Sequence, residues 1–177
     1  MRIRDFYFDE FISEAAIVER VQALAQQIDR DYADEPPVLV AVLNGAFVFT
    51  ADLARSLSIP AEVTFIKVKS YQEMQSTGQH KEFIGLEVPI RGRSVIIVED
   101  IVDSGNTIRY LTQQFSEQAP SSIAVATLLF KPQALVHNVK LDYVGFEIPN
   151  DFVVGYGLDY DGLGRNLRSV YKVVPNP

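Results

Sequence analysis

Val95-Ile96-Ile97-Val98-Glu99-Asp100-Ile101-Val102-Asp103-Ser104-Gly105-Asn106-Thr107 is the stretch on which the reading of this chain turns. The aliphatic run at 95–98 predicts a strand buried on both faces, because a half-buried strand would alternate with polar residues. It delivers Glu99 and Asp100 to the strand end, with Asp103 just beyond. Ser104-Gly105-Asn106-Thr107 then opens a helix over residues 107–118. Glycine permits a tight turn and close approach of backbone to a ligand. The successive N–H groups of such a loop, with the helix N-terminus, form an anion site. The hydroxyls of Ser104 and Thr107 add donors, and together these groups make a phosphate cradle.

Three carboxylates beside a phosphate cradle pose an electrostatic problem, since they repel the anion it would hold. Sugar hydroxyls resolve it by donating hydrogen bonds to acidic groups. Mg²⁺ resolves it by joining carboxylate to phosphate oxygens while keeping waters. The segment therefore points to a phosphorylated, hydroxyl-rich ligand with a divalent metal. Ser-Gly-Asn-Thr alone would fit a solvated acidic turn capped by Thr107; the buried strand and its carboxylates favour the ligand site. Neither GxxxxGK[ST] nor a GxGxxG after a first strand occurs, so a P-loop and a dinucleotide site are unsupported.

Working outward, residues 13–32 carry Ile17, Val21, Leu24 and Ile28 at helical spacing, with Ser13 placed as N-cap. Residues 38–43 form a second apolar run, broken by Asn44-Gly45, and residues 46–57 read as helix. Residues 61–69 and 122–130 read as strands, the latter buried, and short apolar segments follow at 143–148, 153–154 and 169–174. Buried strands alternating with helices predict an α/β fold with a mainly parallel central sheet flanked by helices. Ligands of such sheets sit beyond the carboxyl ends of the strands, here after residues 43, 98 and 130. The polar stretch 72–82, with Ser76-Thr77-Gly78, reads equally as a lid or as a hairpin tip.

The chain has 177 residues, 47% hydrophobic and 22% charged, which suits one domain over residues 1–177 with one core. A formal net charge of -7 disfavours a general nucleic-acid binder. The absence of cysteine excludes disulfides, thiolate chemistry and Cys-ligated metals. No secretory signal and no membrane-spanning apolar stretch is visible, so a soluble cytoplasmic protein is expected. The two histidines, His80 and His137, lie in no metal-ligand or triad pattern.

Residues 95–107 resemble the phosphoribosyl-pyrophosphate signature of type I phosphoribosyltransferases. Tyr-Val-Gly-Phe-Glu-Ile-Pro-Asn-Asp-Phe-Val-Val-Gly-Tyr-Gly-Leu-Asp, at 143–159, is similar to the C-terminal block of the hypoxanthine-guanine branch of that family. Lys131 and the pair Ser70-Tyr71 match further family positions. The resemblance covers residues 38–174. It implies the type I phosphoribosyltransferase fold, with a small hood region and a mobile lid loop carrying Ser70 and Tyr71. It also implies condensation of phosphoribosyl pyrophosphate with hypoxanthine or guanine, giving IMP or GMP and pyrophosphate.

Residue by residue, the resemblance makes Glu99 and Asp100 contacts to the ribose hydroxyls, directly or through Mg²⁺. It makes Asp103 the acid/base near purine N7, and Ser104, Gly105, Asn106 and Thr107 the loop around the 5′-phosphate. Lys131 would donate to the exocyclic O6, which suits a 6-oxopurine because an ammonium has donors only. Phe152 would stack on the base, Val153 would meet it through its backbone, and Asp159 would be a second Mg²⁺ ligand. Arg165 would contact pyrophosphate with its planar fork. Leu43-Asn44-Gly45 matches the family's pyrophosphate loop, which carries a cis, non-proline peptide. Many members have a basic residue at the position of Asn44, so the backbone contribution is what carries over. The resemblance also implies a homo-oligomer, a dimer or tetramer. Two other readings keep the fold and change the function: a regulator that binds nucleic acid, and a transferase for xanthine or a pyrimidine.

Overall fold

The run quoted above forms the centre of a six-stranded sheet. The computed structural model describes residues 1–68 and 83–176. In chain order the strands are β1 (Arg2–Ile3), β2 (Phe6–Ile12), β3 (Val38–Leu43), β4 (Glu62–Val68), β5 (Phe83–Ile84), β6 (Ser94–Val102), β7 (Ser122–Phe130), β8 (Tyr143–Glu147), β9 (Val153–Val154) and β10 (Val170–Val174). The helices are α1 (Glu14–Asp31), α2 (Phe47–Ser56) and α3 (Asn106–Ser116), and a 3₁₀ turn spans Pro132–Ala134. The large sheet has the order β5-β4-β3-β6-β7-β8, parallel apart from the antiparallel edge strand β5.

Both faces of this sheet are covered, which is why its central strands lack alternation. Ile17, Val21, Leu24 and Ile28 of α1 and Phe49 and Leu53 of α2 pack on Leu39, Ala41, Ile96, Val98 and Ala126. On the opposite face Ile108, Leu111 and Phe115 of α3 pack on Val38, Val40, Val95, Ile97 and Val125. Ser13 caps α1 as expected, its hydroxyl accepting from Ala16 N–H at 3.3 Å.

Apart from shifts of a residue at element ends, two boundaries and two unexpected strands near the N-terminus bear on the site. The strand expected at 95–98 runs on to Val102, because the ladder to β7 continues through Glu99↔Thr127, Ile101↔Leu129 and Val102↔Phe130. Glu99 and Asp100 therefore lie inside the strand, not just after it. The helix expected at 107–118 is Asn106–Ser116, with Gly105 as its N-cap at φ 79°, so the Thr107 cap of the solvated-turn alternative does not form. Residues 2–3 and 6–12, given no element from sequence, are strands. They form a second, antiparallel sheet of order β1-β2-β10-β9, the hood.

Asp9 and Glu10 interrupt the apolar pattern of β2. A register shift also sets Ile12 and Glu10 opposite the consecutive residues Val170 and Tyr171 of β10. Pairing with a strand so distant in sequence leaves no local trace. The lid residues Ser70 and Tyr71, with His80, lie outside the described residues. Among the described residues no helix is long and apolar enough to cross a membrane.

Candidate active site

Strand β6 pairs with β3 only as far as Ala41↔Val98, although it stays paired with β7 to its end. Beyond Val98 the two strands part. This is also where the chain order reverses, since β4 follows β3 to one side and β7 follows β6 to the other. A crevice at such a switch point is where an open α/β sheet receives ligands.

The facing of β6 slips at the mouth of that crevice. Ile96, Val98 and Ile101 join the core under α1 and α2, while Val95, Ile97 and Val102 join the core under α3. Strict alternation would have put Ile101 with Val95 and Ile97. The inversion falls on Glu99-Asp100 and leaves both carboxylates outside the two apolar cores. Glu99 is 7% exposed, and its Oε2 has no hydrogen-bond partner among the described residues. Burial first, and then the charge of Asp100, push its pKa well above the usual carboxylate value. Burial likewise pushes Asp100 up to about 6, although its Oδ1 accepts the Ile101 N–H at 2.8 Å.

Glu99, Asp103, Ser104, Gly105, Asn106 and Thr107 line one cavity of about 190 Å³. Asp103 is exposed at its rim. Gly105 is needed twice over. It adopts φ 79°, and a β-carbon there would meet His137 O at 3.1 Å and Leu135 Cδ1 at 3.2 Å. Gly105 offers no side-chain acceptor to the first turn of α3; the Asn106 N–H donates to Ser104 Oγ at 3.4 Å, and the N–H groups after it suit an external anion.

The other wall of the crevice is the turn after β3, where the Leu43–Asn44 peptide is cis as the resemblance implied. Asn44 is exposed and Gly45 buried. An ideal β-carbon on Gly45 would stand 1.4 Å from Asp100 Oδ2. On Gly157, at φ +101°, it would stand 2.1 Å from Gly45 O. Arg165 braces this second turn: Nη1 donates to Gly157 O at 2.7 Å and Nη2 pairs with Asp159 Oδ1 at 2.6 Å. Asp159 Oδ2 accepts the Gly162 N–H at 2.7 Å. Asn44, Gly45, Asp100, Asp159 and Arg165 are thus gathered on one side of the crevice.

The expected base-binding residues flank this arrangement. Lys131 follows β7, and its backbone N–H donates to Val102 O at 2.9 Å, fixing it to the end of β6. Val153 is buried in β9, opposite Lys172 of β10. Phe152 is 43% exposed in the hood, among Phe6, Phe8 and Tyr160, the last edge-on at 5.5 Å.

Sequence reasoning named Arg165 and Asp159 but missed Gly157 and Tyr156 in the turn they hold. Tyr156, at φ 50°, is buried and donates to Asp52 Oδ2 at 2.7 Å. The Gly155-Tyr156-Gly157 spacing was the available signal.

The carboxylates fit a divalent cation. A buried, unpartnered carboxylate oxygen of Glu99 beside the half-buried Asp100 lacks a positive neighbour, and oxygen donors of this kind suit Mg²⁺. Among the described residues no three acidic or histidine side chains converge into a ready cage.

A family model, the phosphoribosyl transferase domain, matches residues 9–161. The chain belongs to the phosphoribosyltransferase family. It is 43% identical over 166 residues to the hypoxanthine-guanine phosphoribosyltransferase of Mycobacterium tuberculosis, covering 90% of this chain and 82% of that one. It is 42% identical over 166 residues to the hypoxanthine phosphoribosyltransferase of Escherichia coli, covering 92% and 93%. A crystal structure of a hypoxanthine-guanine phosphoribosyltransferase from Bacillus anthracis superposes with TM-score 0.88 at 40% identity, covering 96% of this chain and 100% of that one. Within the family, these similarities put the chain in the hypoxanthine-guanine branch.

Proposed function

We propose that this chain is a purine-salvage transferase, one domain over residues 1–177. It moves the phosphoribosyl group of phosphoribosyl pyrophosphate to hypoxanthine and guanine, giving IMP or GMP and pyrophosphate. The observation that carries this reading is the crevice between β3 and β6. It gathers the buried Glu99, the half-buried Asp100 and a glycine-capped helix start around one opening, with the Gly45 turn set against the Asp100 carboxylate. Identity above 40% to relatives of that name supports the choice of substrates.

Residues 104–107 would hold the 5′-phosphate, with the first turn of α3 supplying N–H donors. Glu99 and Asp100 would face the ribose hydroxyls, and with Asp159 they are the groups that would hold Mg²⁺. Mg²⁺ held there would supply positive charge to offset that of the departing pyrophosphate. The backbone at Asn44-Gly45 and the Arg165 guanidinium would bind the same oxygens. Asp103, exposed at the rim, would move the proton at purine N7 as the new bond forms. Lys131 would donate to O6, Phe152 would stack on the ring, and Val153 would bound it. Ser70 and Tyr71 would close over the site and exclude water from the activated ribosyl centre.

Incubation with Mg²⁺, phosphoribosyl pyrophosphate and a panel of bases tests this directly. Hypoxanthine and guanine should release pyrophosphate and yield nucleotide. Turnover confined to xanthine or to a pyrimidine would transfer the reading to that acceptor. No turnover with any base, together with salt-sensitive RNA binding, would favour a regulator, which the net charge of -7 disfavours.

A further inference from the structure

His137 takes no part in the roles above, yet it stands directly behind the loop of residues 104–107. The chain after the 3₁₀ turn reaches that loop first by its backbone. The N–H groups of Val136 and His137 both donate to Ser104 O, at 3.1 and 3.2 Å. Its side chain extends the contact. His137 Nε2 is 2.9 Å from Asn106 Oδ1, and Asn106 Nδ2 is 2.9 Å from Ser104 Oγ. Behind the ring, Arg109 Nη1 is 3.1 Å from His137 Nδ1.

One assignment of protons satisfies all three contacts. A guanidinium has donors only, so His137 Nδ1 must accept. Nε2 then carries the ring proton and donates to Asn106 Oδ1. That fixes the amide, whose orientation is otherwise ambiguous, with its NH₂ group toward Ser104 Oγ. Ser104 Oγ receives this bond and keeps its own proton for another acceptor. Ser104 lines the cavity with Thr107, so the anion held there is the acceptor within reach.

We infer that Arg109, His137 and Asn106 form a one-way chain of hydrogen-bond donors that orients and polarises the Ser104 hydroxyl toward a phosphate oxygen of the ligand. His137 is a positioning residue in that chain. Every link donates toward the loop, so the bonds strengthen one another, and the permanent charge sits at the far end. The inference rests on reading residues 104–107 as the phosphate site. It adds to that reading a residue from outside the motif.

The test is steady-state kinetics of the full chain with Mg²⁺, hypoxanthine and varied phosphoribosyl pyrophosphate, alongside calorimetric binding of ribose 5-phosphate. His137→Phe should raise the KM for phosphoribosyl pyrophosphate and weaken ribose 5-phosphate binding by about fivefold to tenfold, one weakened bond to an anion. Its kcat and KM for hypoxanthine should stay within about twofold, because the change is confined to ground-state phosphate binding. His137→Gln keeps one donor and one acceptor and should recover most of the loss. The double variant S104A/H137F should be no worse than S104A alone, as expected for residues acting through one atom.

Arg109→Leu cuts the chain at its far end and serves if His137→Phe does not fold. Wild-type KM in both His137→Phe and Arg109→Leu overturns the inference. So do losses that multiply in the double variant. If Ser104→Ala and Thr107→Val also leave KM unchanged, the phosphate site itself has been misplaced. If those two raise it and the His137 variants do not, only the donor chain fails.

Discussion

Gly45 presses its α-carbon against the carboxylate of Asp100, so closely that a β-carbon would fall 1.4 Å from Oδ2. What stands in the way is the end of a side chain, which can turn aside. Gly45→Ala should therefore fold, with a melting temperature within a few degrees of wild type, while displacing the carboxylate. Turnover should drop by about a hundredfold, as misplacement of a positioned group does, and the Mg²⁺ requirement should rise. Gly157 makes the contrast. Its β-carbon would meet Gly45 O, a backbone atom, at 2.1 Å, and its φ is +101°. Gly157→Ala should destabilise the fold by roughly 1–3 kcal/mol. Thermal melts of the two variants side by side check the pair, and equal losses of stability would contradict it.

Glu99 and Asp100 make the stability of the metal-free protein depend on pH. Burial raises both pKa values, Asp100 to about 6 from its usual 3.8. An acid that holds its proton more tightly when folded stabilises the fold below its unfolded pKa. That contribution is lost as pH rises through the folded value. Glu99→Gln removes one ionisation while keeping shape. The variant's melting temperature should match wild type near the acid end and exceed it by about 2–8 °C near neutrality, the worth of a buried charge without a partner. Its turnover should fall. A temperature difference that stays constant from acid to neutral pH would sink this account, and Mg²⁺ should narrow the gap by restoring a cation beside Glu99.

Which parts of this molecule could be read from sequence follows from how local their causes are. The strand at residues 38–43 and the strand at 122–130 have the bounds that their apolar runs predict. Strand β6 was cut short because Glu99 and Asp100 end the apolar run, although the backbone ladder continues beneath them. The resemblance implied a hood, but its strands β1 and β2 were illegible because β2 finds its partner at the other end of the chain, across an acidic pair and a bulge. The site divides the same way. The Gly105 loop is one continuous stretch and announces itself. The seat of Gly157 on Gly45 and the stack of His137 behind Asn106 join segments that no pattern links.

Asp103 carries the proposed proton transfer. Asp103→Asn keeps the size of the side chain at an exposed position, so the fold should be unchanged by melting temperature and circular dichroism. The kcat for hypoxanthine should fall by about 10²–10⁴, the usual contribution of a placed acid or base. The KM for phosphoribosyl pyrophosphate should hardly move, because the 5′-phosphate loop is intact. A kcat near wild type would remove Asp103 from the chemistry and leave it a rim carboxylate.

Arg165 separates binding from scaffolding most sharply. Its guanidinium spans Gly157 O and Asp159 at once, at 2.7 and 2.6 Å. An ammonium has no planar fork and cannot reproduce that bridge. The pair is partly exposed, so its direct contribution to stability is small, and Arg165→Lys should melt close to wild type. The function proposed for it is different: to hold the Gly157 turn against Gly45 and to present a fork to pyrophosphate. Arg165→Lys should raise the KM for phosphoribosyl pyrophosphate in the forward reaction and for pyrophosphate in the reverse reaction, each by about tenfold, the loss of one bidentate bond to phosphate. The KM for hypoxanthine should stay as it was. A variant that melts early with both pyrophosphate constants unchanged would show Arg165 to be a brace for the turn and nothing more.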